Sequence, residues 1–210
     1  TVEVDANIQN TRYMKMIFSE YPVTILDQEK WNECLNKLEE MQNVSEKIKT
    51  LIEAQENTGK FNGKLMPFQK KGLDFLLKTN GNALLADEMG LGKTVQTLAF
   101  IATAEDTLPV VIVSPLVTLR NWQREIKKFI TLETHGKKYE PRTGLIRTGK
   151  SKAMKEQDFY IINYELVSKR IDNLTMLNPR TIVLDEVHNL RNIATRKFKA
   201  IDELTRIPSV

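Results

Sequence analysis

The stretch NALLADEMGLGKTVQTLAFI, residues 82–101, decides the fold. An apolar run, ALLA, leads into a glycine-bearing turn, and a helix-forming run follows. The turn nearly matches the phosphate-loop spacing G-x-x-x-x-G-K-[ST]. Gly92, Lys93 and Thr94 fit, whereas Asp87 stands where the first glycine is usual. Phosphates need converging backbone N–H groups backed by the positive end of a helix. They also need a flexible ammonium, and a hydroxyl to hold Mg²⁺. Gly90 and Gly92 permit positive-φ backbone there, and Lys93 and Thr94 supply the ammonium and the hydroxyl at the start of the helix. Met89, Gly90, Leu91, Gly92, Lys93, Thr94 and Val95 are therefore the candidate nucleotide-binding residues of the loop. The Asp87 carboxylate is expected to face away from phosphate or to bond loop amides.

A second stretch, TIVLDEVHNLRN at 181–192, supplies what such a loop lacks. An apolar strand ends in Asp185, and the C-terminal ends of strands form the ligand edge of an open α/β sheet. Asp185 is the candidate to hold Mg²⁺ with Thr94, partly through water. Glu186 is the candidate to polarise a water attacking the γ-phosphate. Lys93, Asp185 and Glu186 make up the candidate catalytic set. His188 either couples nucleotide state to a second lobe or caps the following turn.

Outward from these stretches, short apolar runs alternate with helical patterns from residue 61 onward. Strands are expected at 83–86, 110–114, 145–147, 159–163 and 181–185, and helices at 67–78, 93–104, 119–129, 165–170 and 194–205. Runs such as PVVIVS and FYIIN are apolar almost throughout, as in strands of a parallel sheet buried on both faces. The expected class is α/β, a mostly parallel sheet with helices on both faces. Lys137–Lys155 is expected to be a long surface loop. Residues 1–60 are assigned to an N-terminal helical extension and residues 61–210 to the lobe. The extension shows no clean periodicity over 1–26. From Asp27, a capping residue, a helix with an apolar seam at Trp31, Cys34, Leu38, Met41, Ile48 and Ile52 runs to about Thr58.

Charge divides in the same way. Residues 1–60 hold 7 Lys and Arg against 11 Asp and Glu, and the remainder hold 24 against 16. The basic excess suits a polyanion such as nucleic acid. The acidic extension is expected to pack on the lobe, to inhibit it or to bind a partner. Cys34 is the single cysteine, which removes an intramolecular disulfide or a thiolate metal cluster. No membrane span and no signal peptide are expected.

DEMGLGKT with DEVH resembles the Swi/Snf family of superfamily-two helicase-like ATPases, in which an acidic-Glu-Met-Gly start to the phosphate loop is usual. LMPFQKKGLDFLL at 65–77 is similar to the family's entry motif, with Met66 for Arg and Phe68 for Tyr. The resemblance implies that Gln69 reads the adenine edge and Phe68 supports the ring. VSPLVTLRNWQREIKKF at 113–129 is similar to motif Ia, and IINYELV at 161–167 to the Tyr-Glu block that follows. It further implies backbone contacts to double-stranded DNA through Ser114, Pro115, Asn163, Tyr164 and Lys169. Leu119 and Trp122 are expected in the core behind motif Ia.

The resemblance implies that the α/β sheet of residues 61–210 is a RecA-like lobe of a motor that translocates on duplex DNA with ATP and Mg²⁺ and displaces DNA-bound proteins. Its location would be the nucleus, or the nucleoid and cytoplasm of a prokaryote. The sequence stops at TRIPSV, before the family's Thr-Gly-Thr-Pro block (motif III) and the second RecA-like lobe with its arginine finger. The chain alone is therefore expected to bind ATP weakly and hydrolyse it barely. The alternatives are another superfamily-two DNA-repair or RNA helicase lobe, or a nucleotide-dependent binding module without turnover.

Overall fold

A computed structural model describes residues 7, 10, 11, 14, 24–58, 60–149 and 155–207. The chain divides into two compact units, Thr1–Leu51 and Ile52–Val210. Most of 1–26, and 150–154 of the expected surface loop, lie outside the described residues.

The helix α1 (Gln28–Thr58) begins in the first unit where expected and runs past Leu51 into the second. Asp27 caps it, its Oδ1 accepting the Lys30 N–H at 3.0 Å. The seam follows a seven-residue repeat, with Trp31, Leu38, Ser45 and Ile52 in one row and Cys34, Met41 and Ile48 in the other. Cys34, Leu38 and Ile48 are buried, but Met41, expected in the seam, is 59% exposed.

The second unit is built on a four-stranded sheet of β4 (Thr143–Ile146), β5 (Phe159–Asn163), β1 (Val110–Ser114) and β6 (Thr181–Leu184), in that order across the sheet. Every pairing in it is parallel. The central strands β1 and β5 are apolar at nearly every position because both faces are covered. One face carries a cluster including Leu73, Leu98, Ile112, Ile126 and Phe159, and the other includes Val111, Ile162, Val167, Leu174 and Leu204. Around the sheet lie α2 (Pro67–Lys78), α3 (Lys93–Thr103), α4 (Leu119–Phe129), α5 (Tyr164–Met176) and α6 (Arg196–Thr205).

Three expectations about the strands change. Ala83–Ala86 forms no sheet ladder. Leu85 packs on the core, Leu84 is 68% exposed, and among the described residues nothing pairs with the outer edge of β6. Part of the expected loop at 137–155 is regular, with β2 (Leu132–Thr134) and β3 (Lys137–Tyr139) forming an antiparallel hairpin. Its two-residue turn, His135-Gly136, has positive φ at both positions, the arrangement that matches strand twist. The strand expected at 145–147 starts two residues earlier. There Arg142 forks onto Asp158, its Nη2 2.9 Å from Oδ1 and its Nε 3.2 Å from Oδ2, and so ties the start of β4 to that of β5. That bonding, and then the Asp158 charge itself, holds the Arg142 guanidinium above its ordinary pKa.

Candidate phosphate site

Two elements carry the candidate residues. The first is the turn into α3. Gly90 and Gly92 have φ of +87° and +75°, so the glycines stand where a side chain would strain the backbone. Gly92 is the N-cap of α3, and the first helical N–H groups have no carbonyl within the helix to bond. Lys93 folds back over the loop, its Nζ donating to the carbonyls of Asp87 at 2.8 Å and Glu88 at 3.1 Å. The ammonium thus bonds the loop's own backbone, a contact for which a phosphate placed there would compete.

Asp87 resolves the irregularity in the loop. Its Oδ2 accepts the Gln96 Nε2–H at 3.0 Å. Gln96 lies on α3, fully buried, and its Oε1 has no hydrogen-bond partner. The carboxylate is therefore engaged by the helix that follows the loop. Gly72 on α2 leaves the room this requires, since a Cβ there would lie 1.7 Å from Gln96 Oε1.

Gln69 ties the same helix to the loop from the other side. Its Oε1 accepts the Met66 N–H at 3.0 Å and its Nε2 donates to the Leu91 carbonyl at 3.3 Å. An amide has two donors and two lone pairs, so one of each is left for a base edge. Phe68, Met89 and Leu91 are exposed apolar side chains on these two segments. Thr94 and Val95 are half-buried on the first turn of α3.

The second element is the end of β6, where the ladder continues one residue and the Asp185 N–H donates to the Val113 carbonyl at 2.8 Å. Asp185 Oδ2 accepts both the Trp122 Nε1–H at 2.8 Å and the Ser114 hydroxyl at 3.0 Å. Its backbone carbonyl accepts the Tyr164 hydroxyl at 2.7 Å. Burial raises the Tyr164 pKa well above the ordinary tyrosine value, with Asp185 and then Glu186 adding to it, so the hydroxyl stays a neutral donor. Among the described residues, Oδ1 of Asp185 carries no hydrogen bond.

Glu186 begins a 3₁₀ turn (Val187–Leu190) with φ +53°, a conformation non-glycine residues rarely adopt. Its Oε2 lies 3.1 Å from His188 Nδ1. A donor set of one carboxylate and one hydroxyl, completed by phosphate oxygens, suits Mg²⁺. Among the described residues, no group of three or more His, Cys, Asp and Glu could hold a metal without such help.

The residues expected at DNA divide by exposure. Ser114 and Tyr164 are buried, and their hydroxyls face Asp185 or, for Ser114, also Thr118. Those atoms bond protein, so they are not presented to a backbone phosphate. Pro115 and Asn163 are half-buried, and Lys169 is exposed. Trp122 was expected in the core, and its ring is there, but sequence reasoning missed its contact with Asp185. The signal was available: a buried indole N–H usually finds a partner.

The chain matches the model of the SNF2-related domain over residues 68–207. It is 33% identical over 163 residues to the CHD3-type chromatin-remodeling factor CHR7 of Arabidopsis thaliana, covering 68% of this chain and 13% of that protein. It is 32% identical over 162 residues to the ISWI chromatin-remodeling complex ATPase ISW1 of Saccharomyces cerevisiae, covering 72% of this chain and 14% of that protein. Among solved structures it resembles the Sulfolobus solfataricus SWI2/SNF2 ATPase core in complex with dsDNA. The TM-score is 0.57 and the identity 31%, over 69% of this chain and 30% of that one. The chain thus spans a small fraction of these relatives' length.

Proposed function

Because this chain belongs to the SNF2-related domain family, we propose that it is the ATP-binding first lobe of a DNA-dependent ATPase that translocates on double-stranded DNA and displaces or remodels bound protein. The observation that carries this is the Lys93 ammonium lying on two loop carbonyls at the start of α3. A cation and unbonded helix N–H groups converge there, as a triphosphate requires.

In this proposal Lys93 moves from the carbonyls to the β- and γ-phosphates, and the amides of the Gly90–Val95 segment cradle them. Phe68 and Gln69 hold the adenine through the ring face and the remaining amide donor and acceptor. Thr94 and Asp185 would hold Mg²⁺, which would supply neutralisation of the triphosphate's charge. Glu186 orients and polarises the attacking water and takes its proton, while His188 steadies Glu186 from its 3.1 Å position. Pro115, Asn163 and Lys169 are the proposed contacts to the DNA backbone: the Asn163 amide and the Lys169 ammonium as donors that position a duplex without reading its sequence, and Pro115, which has no donor, by van der Waals contact.

Residues 1–60 are proposed as an accessory helical segment and 61–210 as the lobe. A second RecA-like lobe and DNA-bound proteins are the proposed partners. Among the described residues, no helix is long and apolar enough to cross a membrane, and the proposed location is the compartment that holds duplex DNA.

The test is ATP hydrolysis by the full-length protein with duplex DNA, single-stranded DNA or RNA added. Stimulation by duplex DNA above the others is expected. Preferential stimulation by RNA would move the chain to another helicase class. Nucleotide binding with no turnover under any condition would leave a binding module.

A further inference from the structure

Asp185 is held more tightly than a metal ligand at a sheet edge needs to be. Two donors meet on the same oxygen, Oδ2, and both come from buried side chains: Trp122 is 3% exposed and Ser114 is fully buried. They lie 63 and 71 residues before Asp185 in sequence, so the convergence is made by the fold. Ser114 is the last residue of β1, the neighbour of β6, and Trp122 is one turn into α4. Hydrogen bonds to a carboxylate are stronger and more directional than those between neutral groups. With Oδ2 fixed from two directions and the backbone carbonyl fixed by Tyr164, the carboxylate cannot rotate freely, and Oδ1 is the oxygen left to a ligand.

We propose that Trp122 is a positioning residue for the metal: with Ser114 it locks Oδ2 of Asp185 and so presents Oδ1 to Mg²⁺ bound with ATP. The inference rests on the proposed ATP site. It assigns to a residue on the helix behind motif Ia a role in metal affinity that its burial alone does not give. Trp122 is one of two tryptophans in the chain, so it is also a built-in reporter of that carboxylate.

The test uses this 210-residue chain carrying Trp31→Phe, so that Trp122 is the sole tryptophan. Three quantities are read: ATP affinity with EDTA, Mn²⁺ affinity of the ATP-loaded chain, and Trp122 emission on adding Mg²⁺ to the ATP-loaded chain. Trp122→Phe, made beside the parent chain, should weaken Mn²⁺ binding about 10- to 100-fold and leave metal-free ATP affinity unchanged. Ser114→Ala should act in the same direction by a smaller factor. In the parent, Trp122 emission should shift with Mg²⁺.

Equal loss of metal-free and metal-dependent binding would mean a packing role only, and would overturn the proposal. So would parental Mn²⁺ affinity in a folded Trp122→Phe chain. If Trp122→Phe does not fold, Ser114→Ala and the emission shift decide: parental Mn²⁺ affinity in the first, or an unmoved spectrum, overturns the proposal. A parent chain that binds no ATP at all would fail the functional proposal first, and this inference with it.

Discussion

The two elements that carry the candidate phosphate-site residues are built in opposite ways. The carboxylate side is set in advance. Asp185 continues the β6 ladder, and three side chains from β1, α4 and α5 bond it. The loop side is closed on itself. Among the described residues Ala83–Ala86 has no strand partner, most of 82–91 is exposed, and the loop's lysine bonds the loop's own carbonyls. Its fixed points are side-chain ties, Gln96 to Asp87 and Gln69 to Leu91. A metal ligand must not move, because a small misplacement costs rate. A phosphate cradle must open and close with its ligand, and weak local structure allows that.

This contrast can be broken from either side. The largest effect is expected at the chemical step. Glu186→Gln in the full-length protein should lower ATP turnover about 10²- to 10⁴-fold with little change in ATP affinity, measured by steady-state hydrolysis and equilibrium binding. Next is the loop. Lys93→Ala removes the charged donor from the phosphates and should weaken ATP binding roughly 10- to 150-fold, about 1.5–3 kcal/mol, by calorimetry. The same change should leave the Asp185 cluster intact, so Trp122 emission without ligand should not move.

A smaller effect is expected at the joint beneath the loop. Gly72→Ala drives a Cβ into the buried Gln96 amide and should cost about 1–3 kcal/mol of stability in denaturant unfolding. Smallest is Ser114→Ala read as stability. It removes one bond of several at Asp185 and should cost about 1 kcal/mol. A larger loss there than from Gly72→Ala would mean that the carboxylate side, not the loop joint, limits stability.

What the sequence disclosed follows the same division. The strands β1, β5 and β6 were legible because unbroken apolar runs have few other uses, and the turn into α3 was legible because Gly90 and Gly92 stand where positive φ is needed just before a helix-forming run. Ala83–Ala86 was overread: an apolar run declares burial, but pairing depends on a neighbour, and only Leu85 reaches the core. The β2–β3 hairpin was missed because its strands, LET and KKY, are short and largely polar. Met41 kept its place in the repeat without being buried. The roles of Ser114, Trp122 and Tyr164 at Asp185 were hidden for a different reason. Hydrogen bonds between residues far apart in sequence leave no local pattern, so burial of Trp122 could be anticipated while its partner could not.

The most direct measurement is amide hydrogen exchange of this chain with and without Mg²⁺ and ATP. If the loop is the nucleotide site and the carboxylate side is preset, strong new protection should appear across 88–96, with little change at 182–185, already slow in the free chain. Protection elsewhere with none at 88–96, or residues 182–185 exchanging freely until ligand is added, would contradict it.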